Sequence, residues 1–269
     1  MTTIDLRGTD LLIGGVPTVR RGRVAGWFHG AAGMARFEWA MIRPYAGLVL
    51  VVQTMMGVGM AIMYGFFYPA IDATTALLIT TGVPTLALVP MGFVLVPGNV
   101  ASQRLSGTFD VIWSMPVPRS AAVAASFGVN AALALPGTAL ALLVGAWRYG
   151  VSLHLSPVLV PAVLLSTLMC VAVGYGLALL VGNPLAINLI SNATVFLVIL
   201  FTPIVYPASN LPAWWLRVHE VLPFHPMAQV IRAGLTEGVV PDVGGPFLVL
   251  GLWTLGGLAM TAWVVGRRR

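Results

Sequence analysis

Six stretches of this sequence contain no Asp, Glu, Arg, Lys or His: Tyr45–Phe67, Thr75–Val96, Ala121–Ala146, Val158–Val181, Leu185–Tyr206 and Phe247–Val265. Each is long enough to cross a hydrocarbon core of about 30 Å as an α-helix rising about 1.5 Å per residue. With 58% hydrophobic residues and 8% charged ones, a water-soluble fold could not hide the apolar surface. In lipid, backbone polar groups must be satisfied within each helix. The expected fold class is an all-α membrane protein with six transmembrane helices.

The break between the fourth and fifth stretches is only Gly182-Asn183-Pro184. Read as a kink, it would leave five spans. The arginines decide between the counts. Six spans put eleven arginines on the side of the N-terminus (Arg7, Arg20, Arg21, Arg23, Arg36, Arg43, Arg104, Arg119, Arg267, Arg268, Arg269) and three opposite (Arg148, Arg217, Arg232). That asymmetry puts both termini in the cytoplasm by the positive-inside rule, whereas five spans would strand the terminal arginine triplet outside.

Residues 1–23 read as a polar cytoplasmic tail without the apolar core of a signal peptide, so insertion is expected to rely on the first span. Residues 24–43 follow a helical period. Trp27, Ala31, Met34, Phe37 and Met41 form one stripe, with His29, Arg36 and Arg43 nearly opposite. This pattern suits an amphipathic helix lying in the membrane interface. Glu38 falls inside the apolar stripe. Two readings stand: a carboxylate snorkelling to water, or a partner for an arginine of a contacting subunit. The six-span domain then occupies residues 44–269.

Several chemistries are excluded or lack their residues. All fourteen cations are arginine, so there is no P-loop lysine to reach a nucleotide's phosphates. An all-arginine set is what a GC-rich coding sequence gives, and a bacterial plasma membrane is the expected location. The spans lack the ionisable relays usual in proton-driven carriers. Cys170 stands alone in an apolar run, as packing. The four histidines show no metal-ligand spacing; His219, Glu220 and His225 come closest. No catalytic residues, bound metal or nucleic-acid partner are expected.

Two segments between spans are informative. In the loop of residues 98–120, Val100 to Ser106 is expected to form a short helix. Gly107 ends it, Thr108 caps the next turn, and Pro116 and Pro118 stop the chain before the third span. Such a helix would present Gln103, Arg104 and Asp110 to the cytosol as a docking knob; a plain solvated connector is the other reading. Between spans five and six, residues 207–246 contain two candidate short helices. Asn210 and Pro212 start one bearing Trp214 and Trp215. His225-Pro226 starts another with Met227, Val230, Ile231 and Leu235 on one face and Gly238 just beyond it. They fit a re-entrant pair in the outer leaflet or an interfacial tryptophan belt.

These two segments, in this order around six spans, resemble the membrane subunit of a type-2 ATP-binding-cassette (ABC) exporter of the drug and natural-product kind. The resemblance is carried by Gln103-Arg104-x-x-Gly107-Thr108 with Pro116-Val117-Pro118-Arg119. A second part is Pro203-Ile204-Val205-Tyr206-Pro207, followed by Leu211-Pro212-x-Trp214 and His225-Pro226 through Arg232. Two departures are Gln103, where relatives often have Glu, and His225, where Asn is commoner. The resemblance implies that the first loop, with Gln103, Arg104, Gly107, Thr108, Phe109 and Asp110, couples to a separate nucleotide-binding ATPase subunit. It also implies that the helix bearing Arg36 and Glu38 lies near that contact. Two permease copies would join two ATPase subunits, which would bind ATP and magnesium. The chain would have no cofactor of its own and would not be an enzyme by itself.

The cargo expected from charge-free spans is amphipathic or hydrophobic: a drug, a natural product or a lipid. Met56 and Met60 in span one, and Asn188, Ser191 and Asn192 sharing a face of span five, are candidates for the translocation path. They serve equally as packing and interhelical hydrogen bonding. Export of a lipid-linked glycan or glycolipid, and a non-transporting membrane scaffold, are the alternatives.

Overall fold

The computed structural model of the chain describes residues 23–67, 71–115 and 117–267. The expected tail lies outside the described residues apart from Arg23, as do Arg268 and Arg269. Among the described residues the regular structure is entirely helical: α1 (Arg23–Phe67), α2 (Ala73–Pro90), a π segment (Met91–Leu95), α3 (Val96–Leu105), α4 (Thr108–Ser114), α5 (Arg119–Tyr149), α6 (Leu159–Leu180), α7 (Pro184–Phe201), a 3-10 turn (Ala208–Asn210), α8 (Ala213–Val221), α9 (Phe224–Leu235) and α10 (Gly244–Arg267). Six rods are long and apolar enough to cross a membrane: α1, the run from α2 through α3, α5, α6, α7 and α10. The Gly182-Asn183-Pro184 break is a turn. Asn183 caps α7, its side-chain oxygen accepting from the amides of Leu185 and Ala186 at 2.9 and 3.4 Å.

The first span differs from its expected form. Residues 24–43 are not a separate interfacial helix: α1 runs unbroken through Pro44 for 45 residues. Pro44 removes one intrahelical donor but leaves the helix continuous. Gln53 holds this rod to α2, donating from Nε2 to the Ala87 carbonyl at 2.7 Å. The second span is also longer than expected. It passes through the π segment and continues to Leu105, so residues 100–105 belong to a span rather than to a free helix. The π segment lies between Pro90 and Pro97 and faces α6 at its closest approach. A Cβ on Gly174 would collide with the Gly92 carbonyl, so the two backbones touch directly.

Side-chain contacts define two ends of the bundle. At one, Trp27 Nε1 donates to Ser120 Oγ at 3.0 Å and Arg119 donates to the Val265 carbonyl at 2.7 Å. This elbow end also carries Arg104 and Arg267. At the far end, the Tyr149 hydroxyl donates to the Ala61 carbonyl. The amides of His154 and Ser156 donate to Leu235 and Gly234 at 3.0 and 2.9 Å.

From the far end, α9 penetrates to mid-bundle. Gly234 lies against Leu159 at the start of α6, whereas Met227 meets Cys170 at α6's midpoint, sulfur to sulfur at 3.6 Å. Phe224 packs on Phe93 of the π segment with centroids 5.3 Å apart. The sequence suggests one apolar face for α9, but it is buried nearly all round, including His225 and Arg232. α8 is the opposite case, with Trp214 and Val218 exposed and only His219 buried.

Candidate functional site at the α3–α4 elbow and the cleft beside it

The elbow turns on Gly107, whose φ of +74° is left-handed backbone. The short helix lies after this glycine rather than before it, as α4 (Thr108–Ser114). Gly107 itself occupies the capping position, so Thr108 is the first helical residue and not the cap; its hydroxyl meets Ser106 Oγ at 2.9 Å. The sequence signal for a break at Gly107 is sound, but the apolar period of residues 96–105 continues the preceding span and absorbs the expected helix.

Arg104 is not presented to solvent as a knob. Its guanidinium donates to the Val181 and Leu179 carbonyls at 2.9 and 3.2 Å. These are carbonyls at the end of α6, which lack intrahelical donors and carry the negative end of the helix dipole. The guanidinium also lies 5.3 Å from the Phe109 ring centroid. Phe109 is 4% exposed and packs with Val100, Phe127, Tyr175 and Leu179. Arg104 and Phe109 thus clamp the elbow to the bundle from beneath. Facing out are Asp110, in the first turn of α4, and two apolar side chains the sequence reading misses, Leu105 and Val111, at 78% and 55% exposure. Their signal was present: both are apolar residues placed beside the turn, out of phase with the buried Val100, Ala101 and Phe109.

Gln103 faces a different space, a cleft of about 290 Å³ between α1, α3, α5 and α6. Glu38 lines it too and is 8% exposed. The carboxylate therefore does not snorkel to water. It sits in the bundle with the Ser126 hydroxyl as a hydrogen-bonding neighbour. Asn130, one turn on from Ser126, donates from Nδ2 to the Ser126 carbonyl at 2.8 Å, leaving its Oδ1 without a protein partner. Arg36 lies on the outward side of α1, exposed, along a groove with Trp27, Trp39 and α5. Arg36 and Glu38 therefore belong to different surfaces.

Of the candidate path residues, Met56 and Asn192 face each other across an apolar groove of about 410 Å³ between α1, α2 and α7. Met60 packs against the central core, Ser191 is buried, and Asn188 is exposed with its carbonyl accepting from Asn192 Nδ2 at 2.8 Å. Met56 and Asn192 thus share one groove, with Asn188 bonded to Asn192, while Met60 and Ser191 turn to the packed interior.

At the far end, Arg232 is buried with Nε donating to Thr81 Oγ1 at 3.0 Å and Nη2 donating to the Ile204 carbonyl at 2.7 Å. The Thr81 hydroxyl in turn donates to the Leu77 carbonyl at 2.8 Å. His225 is held at the Pro203 carbonyl, 3.2 Å away, and burial pushes its imidazole down to about 4. These bonds join α9, the turn after α7 and α2. The approach depends on Gly82, where a Cβ would meet the Ile204 carbonyl at 2.6 Å. Among the described residues, no three His, Cys, Asp or Glu side chains group as metal ligands, and His219 packs on Trp215 with centroids 5.1 Å apart.

Six apolar rods, an elbow clamped to a span, and a helix driven into the bundle from the other end define a multi-pass membrane protein. The family model for the ABC-2 type transporter matches residues 34–236, so the chain belongs to that family and is a permease component of an ABC transporter. No curated protein matches it as a relative. Membership in this family implies a cassette ATPase as its general partner.

Proposed function

We propose that the chain is the transmembrane subunit of an ATP-driven exporter that moves an amphipathic or hydrophobic compound out of the cytoplasm or the inner leaflet. The chain hydrolyses nothing itself. ATP and magnesium are bound by a separate ATPase subunit, and two permease copies complete the transporter in the plasma membrane. The observation that carries this reading is the elbow: Leu105, Asp110 and Val111 exposed on a turn that Arg104 and Phe109 lock to α6. Exposed apolar side chains around a rigid turn suit a groove on a partner, and the lock transmits displacement of the turn to a span. The two helices of residues 207–246 act, in this reading, as a re-entrant plug at the outer side.

Purified from native membranes, the chain is expected to carry a cassette ATPase whose hydrolysis rises when lipophilic compounds are added. A chain that purifies without any ATPase, or that drives flux from a proton gradient alone in liposomes, would overturn the reading.

A further inference from the structure

The cleft beside the elbow has a chemistry of its own. Its lining side chains include one acid, Glu38, and no Arg or His. Arg104, next in sequence to Gln103, turns its guanidinium to the α6 carbonyls instead. A buried carboxylate is normally paired with a cation or fully hydrogen-bonded. Here the groups beside Glu38 are neutral: Gln103, Ser126, Asn130 and the phenol of Tyr175. Asn130 is 3% exposed, commits its donor to its own helix, and leaves an acceptor oxygen free in the wall. Tyr45 and Tyr175 add two aromatic side chains to the lining. A carboxylate, an unpartnered amide oxygen and aromatic side chains together suit a donor-rich cation.

Size and position narrow the ligand. At about 290 Å³ the cleft sits at the lower limit of cavities that enclose a whole drug-sized molecule. It abuts the apolar groove between α1 and α7, with Val49 and Leu95 lining both. A largely apolar chamber with one acid in its wall thus opens into an apolar trough.

We propose, building on the permease reading, that this compound tract is the loading site for a cationic amphiphile. The ammonium head binds at Glu38 and Asn130, and the apolar body lies in the groove by Met56 and Phe196. The site accounts for an acid in an apolar stripe with no cation in the same lining, and it favours amines over neutral lipids and over anionic lipid-linked glycans.

The test uses the full-length chain in nanodiscs of zwitterionic lipid, without ATPase, and radiolabelled dodecylammonium as the probe. Wild-type protein should bind the probe saturably, with dodecanol and dodecanoate failing to compete. Glu38→Gln should weaken binding by at least about tenfold, as expected for loss of a charge-assisted contact. Asn130→Asp, which adds a second carboxylate, should tighten it, a gain that misfolding cannot imitate. Equal binding by Glu38→Gln, no gain from Asn130→Asp, or competition by dodecanol would overturn the proposal. Copurification of the ATPase with the same variants reads the permease assignment separately, and should be unchanged by Glu38→Gln.

Discussion

The Arg104 guanidinium donates at 2.9 Å to the Val181 carbonyl, across 77 residues of sequence. One side chain on the span entering the elbow therefore closes the end of another span. It gives the elbow two separable parts, an inner clamp and an outer surface.

The clamp and the surface should respond differently to mutation. Arg104→Ala removes charge-assisted bonds to helix-end carbonyls and is expected to cost about 1–3 kcal/mol of stability, with loss of ATPase association. Leu105→Asp with Val111→Asp should abolish association while leaving the thermal midpoint of the detergent-solubilised chain nearly unchanged. Equal loss of stability in both variants would show that the outer surface is structural.

Gly107 is open on its Cβ side, with no atom within 4 Å of an added carbon, so its constraint is purely torsional. Gly107→Val should cost about 1–2 kcal/mol from the left-handed backbone alone, and Gly107→Asn clearly less. Thermal unfolding of the two variants, with ATPase copurification alongside, measures this ordering.

Arg232 and Thr81 act as a pair. Thr81→Val is expected to cost about 1 kcal/mol, and Arg232→Met about 2–4 kcal/mol, because it leaves the buried Ile204 carbonyl without its donor. The double variant should cost less than the sum of the two, by about 1 kcal/mol. A double-mutant cycle on thermal stability decides whether the two side chains are coupled.

His225 makes stability pH-dependent in a stated direction. Its imidazole is lowered from 6.5 to about 4 by burial, so the unfolded chain binds more protons between those values. The contribution of neutral His225 is complete above the unfolded value and is drawn down as pH falls toward about 4. His219 is shifted the same way by desolvation and adds to the slope. His225→Gln should flatten the fall in thermal midpoint between pH 7 and pH 4.5, and an unchanged slope would remove His225 from this account.

The spans were legible because lipid imposes one rule, length without charge: four of the six charge-free stretches match their helices within a few residues, whereas the first and second rods run on past theirs into charged sequence. Glu38 was legible as an anomaly but not as a site. Its phase with Met34 and Ile42 turns it inward, and only the crossing of α1 over α5 shows that Ser126 and Asn130 wait there. The α4 helix was misplaced because Val96, Val100 and Ala101 continue the apolar period of the second span past the point where a loop was expected. α9 looks amphipathic in the sequence because Arg232 and His225 are residue types that usually face water. Their partners are the Ile204 and Pro203 carbonyls, freed where α7 has ended, and no spacing in the sequence announces that pairing.

The unbroken course of α1 has a mechanical consequence. At about 1.5 Å per residue its 45 residues measure about 68 Å, roughly twice the hydrocarbon core. Its ends are tethered to the same partner helix, α5, through Trp27 and Ser120 at the elbow end and Ala61 and Tyr149 at the other. The Glu38 cleft lies between the two tethers. Two tethers to one helix tie α1 and α5 into a single stiff pair, with the Glu38 cleft on its flank.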